Sequence, residues 1–240
     1  MAASFLIDNQ NLTYMTLRYN CGLTDEEIQA ALKPFGLGAG SAEATSIRLY
    51  MSLLLDWNQK ISLTGLSDPL EIVSRHFGES WYLTKFLDLN SGRLADIGSG
   101  AGFPGLALKI LRPGLEVALI EQNKKKSAFL AEVIRTLSLA GISVTPTAYE
   151  EWPVASACLD FVTARALGQY PRLLKWAVSA LKPTGSVVLW LGEEESNHLQ
   201  TKPGWSWKLP ERIPGSLRRQ ILIGSPVLPD AAQLLRGSHP

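Results

Sequence analysis

The pattern of apolar and polar residues changes character near residue 90. From Arg93 onward, short apolar runs alternate with longer stretches in which apolar residues recur at helical spacing. The short runs predict strands over residues 94–97, 116–121, 142–146, 159–164 and 186–191. The stretches between them predict helices over residues 105–111, 124–139 and 171–181. Because alternating strands and helices are joined by right-handed crossovers, the pattern predicts an α/β fold with a mostly parallel sheet.

The segments that flank this alternating region differ from it. Apolar residues at 205–209 and 220–223 predict an antiparallel hairpin at the sheet edge, which brings the expected sheet to seven strands. The first 90 residues predict helices: Thr24 and Glu27 form a capping box, a longer helix covers residues 43–58, and Asp68-Pro69 begins a third that runs toward Leu87. We therefore expect an N-terminal helical extension over residues 1–90, an α/β domain over 91–224 and a flexible tail over 225–240.

Composition limits the location and the partners of the protein. The chain has 240 residues, of which 46% are hydrophobic and 19% charged, as is typical of one packed α/β domain with a small extension. Its apolar runs are too short to span a membrane and its N-terminus does not resemble a signal peptide, so we expect a cytoplasmic protein without a membrane partner. A net charge of +1 means that any polyanion would have to meet a local basic surface.

The most informative motif joins the first strand to the first helix of the alternating region. Residues 94–105 have the sequence LADIGSGAGFPG, in which an apolar strand ends in Asp96 and glycines follow at 98, 100 and 102. Such glycines allow a tight turn close to a ligand, and the helix behind them offers free N–H groups. A dinucleotide fingerprint would need a glycine at position 103, where this chain has Phe103. Because an acidic residue before the first glycine suits a ligand with a cationic amino group, the motif favours S-adenosyl-L-methionine.

Further cofactor contacts are expected at the carboxyl ends of neighbouring strands, where open α/β sheets bind their ligands. Glu121 ends the second strand and is either a ribose ligand or a solvated acid. Asp96 either holds the amino group of the cofactor or braces the glycine loop. Tyr149 and Glu150 follow the third strand, where the adenine edge would rest. The complete expected set for the cofactor is Asp96, Gly98, Ser99, Gly100, Gly102, Phe103, Glu121, Tyr149, Glu150 and Arg165.

Basic residues near the same edge are candidates for substrate contacts. Lys125 and Lys126 open a helix, where the macrodipole disfavours cations, so they are either a solvated face or phosphate contacts. Arg165 follows the fourth strand and is either part of a structural ion pair or a ligand-binding residue. Arg75 and His76 lie on a predicted helix and are ambiguous alone. The sequence offers no cluster with the spacing of metal ligands, so we expect no metal.

Together these residues resemble the bacterial small-subunit rRNA guanine-N7 methyltransferases of the RsmG (GidB) type. The resemblance runs from about Leu53 to Ile223 and includes the glycine motif. Its other segments are Trp57-Asn58, Leu63-Thr64, Arg75-His76, Ser80, Leu111-Arg112-Pro113, Lys125-Lys126-Ser127-Ala128-Phe129-Leu130, Thr163-Ala164-Arg165-Ala166, Leu181-Lys182-Pro183 and Arg219. The chain departs from the usual family pattern at Ser62, Glu79, Leu191 and Gln220, where Leu191 replaces a lysine and Gln220 a histidine.

The resemblance implies a class I methyltransferase with a Rossmann-like, mostly parallel seven-stranded sheet and an N-terminal helical extension. It implies S-adenosyl-L-methionine as cofactor and a guanine of 16S rRNA, free or in the small ribosomal subunit, as substrate of a monomeric enzyme. The residues expected to act on the target base or its phosphate are Arg75, His76, Arg165 and Arg219, and those expected to bind RNA are Lys125 and Lys126. Two alternatives stay open: a methyltransferase for a small molecule or a protein, and an RNA- or nucleotide-binding protein without catalysis.

Overall fold

The N-terminal part of the chain is helical where the structure describes it. The computed structural model describes residues 21–227, so residues 1–20 of the expected extension and 228–240 of the expected tail lie outside the described range. Helix α1 spans Asp25–Leu32 and begins with the predicted capping box, in which Glu27 N donates to Thr24 Oγ1 (3.2 Å) and Thr24 N donates to Glu27 Oε2 (2.9 Å). A 3₁₀ turn over Lys33–Phe35 and helix α2 over Ser41–Asn58 follow.

The next helical segment is not the regular helix that the sequence predicts. Helix α3 spans Pro69–Ile72 and passes into a π-helical turn over Val73–Gly78, followed by the short helix α4 over Glu79–Trp81 and a 3₁₀ turn over Tyr82–Lys85. All three residues of α4 are buried, which a surface helix of regular pitch does not allow for consecutive positions. The prediction of one uniform helix is therefore wrong, because the segment changes from α-helical to π-helical to 3₁₀ pitch and is enclosed on several sides.

The sheet lies in the remainder of the chain. Its strands are β1 (Gly92–Ile97), β2 (Leu115–Ile120), β3 (Ile142–Thr145), β4 (Leu159–Arg165), β5 (Leu181–Gly192), β6 (Trp205–Trp207), β7 (Glu211–Arg212) and β8 (Arg219–Pro226). Within residues 21–227 they form one eight-stranded sheet in the order β3-β2-β1-β4-β5-β8-β6, with β7 paired to β8. Strands β1 to β5 are parallel, and β8 runs antiparallel to both β5 and β6. The predicted mostly parallel sheet and edge hairpin are confirmed, and the two-residue β7 is an addition.

Three helices after β1 follow the predicted alternation, and these are α5 (Gly105–Leu111), α6 (Lys124–Thr136) and α7 (Tyr170–Ala180). Helix α8 (Glu193–Gln200) was not predicted from the sequence. Helix α6 ends three residues before the predicted residue 139, because Ser138 adopts a left-handed conformation with φ of +50°. Within residues 21–227, no helix has the length and apolar character needed to cross a membrane.

Two hydrophobic cores cover the two faces of the sheet. Leu94 of β1 belongs to one core, which also contains residues of α1, α2, α5 and α6. Ala95 and Ile97 point to the opposite face and belong to the second core, with residues of α7 and Leu199 of α8. Because side chains alternate along a strand, Asp96 shares the face of Leu94 and points toward α5. The N-terminal helices thus share a core with the sheet, and the predicted boundary near residue 90 stays a prediction.

Candidate functional site

The glycine loop leaves the carboxyl end of β1 and is held against the neighbouring strand β2. Gly98 N and Ser99 N both donate to Ile120 O, at 2.8 and 3.3 Å. Gly98 has a φ of +68°, and a Cβ there would lie 2.9 Å from Leu167 Cδ1 in the loop after β4. Glycine is therefore favoured at this position by the left-handed turn, and a larger residue would also displace the end of the Leu167 side chain.

Asp96 lies beneath this loop and is 1% exposed. Its Oδ1 accepts a hydrogen bond from Thr163 Oγ1 (2.7 Å) and its Oδ2 one from Gly105 N (3.1 Å), the first residue of α5. Burial raises the pKa of Asp96 to about 7, although both hydrogen bonds act in the opposite direction. The carboxyl group therefore braces the junction of β1, β4 and α5 in the described structure, which is one of the two roles expected for it.

Glu121 connects the glycine loop to the start of α6. Its Oε2 accepts from Gly100 N (2.9 Å) and its Oε1 from Asn123 N (2.8 Å), and the residue is 6% exposed. The Asn123 side chain in turn caps α6 by accepting from Lys125 N and Lys126 N. Each carboxylate oxygen has a second lone pair, so Glu121 can still accept hydrogen bonds from a ligand.

A cleft of about 530 Å³, here called the first cleft, opens beside this loop. Four of the residues expected to contact the cofactor line it, and these are Gly98, Glu121, Tyr149 and Glu150. The Glu150 carboxylate is paired with Arg172 (2.8 Å), which also lines the cleft. Ser99 and Phe103 are buried behind the loop, and Ser99 Oγ donates to Asp96 O (2.8 Å). The lining suits a nucleoside, with a carboxylate at the end of β2 and backbone groups after β3.

A cluster of arginines surrounds the buried carboxylate of Glu79. Arg165 NH2 lies 3.1 Å from Glu79 Oε2 and Arg219 NH2 lies 2.8 Å from Glu79 Oε1. Arg165 NH1 also donates to Arg75 O (3.0 Å), and Trp190 Nε1 donates to Glu79 O (3.0 Å). Burial raises the pKa of Glu79, whereas the nearby guanidinium groups act to lower it. The structure thus brings three of the predicted substrate residues together, and the π-helical turn supplies one of them.

His76, the fourth predicted substrate residue, lies at one end of an aromatic stack. Its ring lies 4.6 Å from that of Phe103, which is itself stacked 5.2 Å from Tyr50. His76 Nε2 lies 2.9 Å from Thr64 Oγ1, and Nδ1 is buried without a hydrogen-bond partner among the described residues. Burial lowers the pKa of His76 to about 3, assisted by the cationic Arg165 and Arg75. An uncharged imidazole can contact a base, but it adds no charge for a phosphate.

A second cleft, of about 260 Å³, lies above the arginine cluster. Arg165 and Arg219 form its charged side, Tyr170 and Trp190 contribute aromatic rings, and Glu195 stands on α8. Ala166, at the end of β4, lines both this cleft and the first one. Leu191 also lines the second cleft and pairs with Gln220 across β5 and β8, so two departures from the family pattern are neighbours in the sheet.

The two predicted RNA-binding lysines point in different directions. Lys126 lines the first cleft, whereas Lys125 borders a shallow apolar groove of about 500 Å³ with Trp57, Lys60 and Lys124. Successive helical residues are rotated by about 100°, which explains why neighbours in the sequence separate. No ion pair joins Lys60, Lys124 or Lys125 to a residue in the described part of the chain. The position of Lys60 beside these lysines was not predicted from the sequence, because no basic residue adjoins it in the chain.

Most of this chain is similar in sequence to one family of rRNA methyltransferases. A model of the family described as GidB, rRNA small subunit methyltransferase G, matches residues 43–208. The ribosomal RNA small subunit methyltransferase G of Sorangium cellulosum is 37% identical over 172 residues, which cover 70% of this chain and 72% of that protein. The protein of the same name from Xanthomonas axonopodis pv. citri is 35% identical over 184 residues, which cover 75% of this chain and 85% of that protein.

Two solved methyltransferases of low sequence identity have a similar fold. A SAM dependent methyltransferase from Aquifex aeolicus superposes with a TM-score of 0.55 at 16% identity, over 67% of this chain and 94% of that chain. A ribosomal protein L11 methylase from Lactobacillus delbrueckii subsp. bulgaricus gives a TM-score of 0.54 at 15% identity, over 65% of this chain and 80% of that chain. At such identities the likeness concerns the fold alone, and it confirms the predicted class I methyltransferase architecture.

Proposed function

The chain belongs to the rRNA small subunit methyltransferase G family, and we propose from this that it transfers a methyl group from S-adenosyl-L-methionine to N7 of a guanine in 16S rRNA. The observation that carries the proposal is the arrangement of two clefts that share Ala166, one beside the glycine loop and one lined by Arg165 and Arg219. A methyl donor in the first cleft and a base in the second would meet at this shared wall. We also propose that the protein acts as a monomer in the cytoplasm, on 16S rRNA or the small ribosomal subunit.

The residues that would hold the cofactor fit its chemical groups. When bound, S-adenosyl-L-methionine supplies an electrophilic methyl group on a sulfonium. Glu121 would accept the ribose hydroxyls through its remaining lone pairs, and the segment 148–150 would contact the adenine edge. Asp96 would hold the cofactor's amino group or brace the loop that does so. A cation beside Asp96 would favour its ionised form and lower its pKa.

The substrate residues would position the base rather than remove a proton. Guanine N7 carries an exposed lone pair, so no general base has to deprotonate it before methyl transfer. The enzyme therefore has to align N7 with the methyl group and exclude water. Arg165, fixed by Glu79 and by the backbone oxygen of Arg75, is rigid enough for such alignment. Arg219 would contact the base beside Arg165, whereas His76, which lines neither cleft, would act on it only through the neighbouring Phe103 and Arg165. Lys125 would contact RNA phosphates from the adjoining groove.

The experiment measures transfer of labelled methyl groups from S-adenosyl-L-methionine to protein-free 16S rRNA and to purified small subunits. Reduction with borohydride and cleavage with aniline then locate 7-methylguanine in the product. We expect incorporation at a single guanine. If calorimetry shows cofactor binding but no methyl group is transferred to either RNA substrate, the result would favour an RNA- or nucleotide-binding protein without catalysis. Transfer only to a protein or a small molecule would favour a methyltransferase for that other substrate.

A further inference from the structure

The second cleft contains a glutamate, Glu195, that has no role in the function proposed above. Glu195 lies in the first turn of α8 and lines the cleft together with Arg165, Arg219 and two aromatic residues. It makes no hydrogen bond or ion pair with any residue between 21 and 227, whereas the neighbouring Glu193 lies 3.6 Å from Arg212. The other carboxylate of the cleft, Glu79, is held between two arginines. Glu195, which is exposed on α8, is thus a carboxylate of this cleft that is available to a ligand.

The walls of the cleft are complementary to a purine. Trp190 and Tyr170 line the cleft and are both largely buried, so they form an apolar part of its wall. Leu191 and Ile213 add aliphatic surface. The charged groups are the two arginines as donors, Glu79 between them, and Glu195 as an unpaired acceptor. A planar ring with an acceptor edge and a donor edge can pair with both kinds of group.

We infer that the second cleft binds the target guanine and that Glu195 determines its specificity by accepting hydrogen bonds from N1–H and the 2-amino group. This inference rests on the proposed function. With N7 turned toward Ala166, the adjacent O6 can accept from the guanidinium side of the cleft, and the opposite edge presents the two N–H donors to the carboxylate. Adenine has an acceptor at N1 and no 2-amino group, so a carboxylate rejects it.

The hydrogen bonds from the guanine N–H groups to Glu195 also strengthen during the reaction. As the bond between sulfur and the methyl carbon breaks and the bond to N7 forms, the sulfonium becomes a neutral thioether and the purine gains a positive charge. No proton is transferred. The N–H groups of a cationic purine are stronger donors to a carboxylate, so Glu195 binds the transition state better than the substrate. Its loss is therefore expected to lower kcat as well as to raise KM.

The test compares Glu195→Gln with Glu194→Gln, an exposed glutamate in the same turn of α8 that does not line the cleft. Both variants lose one charge at the same helix N-terminus, so they share any effect on helix stability. We expect Glu195→Gln to lower kcat/KM on 16S rRNA by about 10- to 100-fold, the value of a hydrogen bond to a charged group. Glu194→Gln should remain within about twofold of wild type, as expected for a solvated charge. The calorimetric cofactor affinity should be unchanged in both.

A second measurement separates base contact from a structural role. The guanine located by borohydride and aniline mapping is replaced by inosine, which lacks the 2-amino group, in 16S rRNA assembled by ligation. Wild type should transfer methyl groups to this RNA more slowly, because one of the two contacts is lost, whereas the further loss in Glu195→Gln should be smaller, because its contact with the 2-amino group is already weakened. Equal activities of Glu195→Gln and Glu194→Gln, or an inosine penalty that is the same with and without Glu195, would overturn the inference. A wild-type protein that methylates no RNA contradicts the proposed function and this inference with it.

Discussion

Replacement of Asp96 by asparagine should make the folded protein more stable at alkaline pH. The carboxyl group is buried and its pKa is raised to about 7 by burial, so the folded chain binds its proton more tightly than the unfolded chain does. The stabilisation that this proton provides is complete below the ordinary pKa of 3.8 and is lost as pH rises through about 7. Asparagine has nearly the same shape and does not titrate. Its oxygen can accept from Gly105 N and its amide can donate to Thr163 Oγ1.

The magnitude follows from the difference between the two pKa values. A rise from 3.8 to about 7 corresponds to about 4 kcal/mol at 1.36 kcal/mol for each unit of pKa. The part that falls between pH 5 and pH 8 is about 2.5 kcal/mol, because the unfolded chain is already ionised at pH 5 while the folded chain is not. The free energy of unfolding of the variant, minus that of wild type, should therefore increase by about this amount over that interval.

Urea denaturation of both proteins at pH 5, 6, 7 and 8, at constant ionic strength and without cofactor, measures this difference. Subtraction removes the contributions of all other titrating groups, which the two proteins share. A difference that does not vary with pH, or that decreases as pH rises, would refute the assignment of a raised pKa to Asp96. It would then follow that the ionised carboxylate is stabilised by its hydrogen bonds more than it is destabilised by burial.

Three further substitutions test other parts of the site. Arg165→Ala should lower methyl transfer to 16S rRNA by about 100-fold or more while cofactor affinity stays within about twofold, because the guanidinium is proposed to contact the base and not the cofactor. A calorimetric loss of cofactor affinity as large as the loss of rate would contradict this role. Lys125→Glu should weaken RNA binding and reduce its salt dependence by about one counterion, whereas the control Lys175→Glu, on α7, should do neither. Equal filter-binding curves for the two variants would contradict an RNA contact at Lys125. Gly105→Ala should lower the free energy of unfolding in urea by about 1 to 3 kcal/mol, as overpacking of a core does, because a Cβ at this position would lie 2.6 Å from Asp96 Cβ. An unchanged midpoint of urea denaturation would show that the contact between β1 and α5 can relax.

The parallel sheet and the glycine loop could be predicted from the sequence because they depend on local signals. Apolar runs, helix caps and glycine spacing are properties of neighbouring residues, and the strand order then follows from crossover rules. The same signals placed Gly98 and Glu121 at adjacent strand ends, where both line the first cleft. Helix α6 ended early for a local reason as well, since Ser138 takes a left-handed conformation that sequence alone does not favour.

Contacts between distant segments could not be predicted in this way. Thr163 binds Asp96 because β4 pairs with β1 in a register that aligns them, and no property of either segment specifies that register alone. The π-helical turn before α4 arises from packing on several sides, and it allows Glu79 to reach two arginines from different strands. The stack of His76 on Phe103 joins segments 27 positions apart.

A map of 7-methylguanine in 16S rRNA from cells with and without the gene shows directly whether this protein methylates N7 of a guanine. We expect one N7-methylated guanine to disappear when the gene is deleted. It should return when the wild-type gene is restored and stay absent when the Arg165→Ala gene is supplied instead. Identical maps with and without the gene would contradict the assignment of this chain as a guanine-N7 methyltransferase of 16S rRNA.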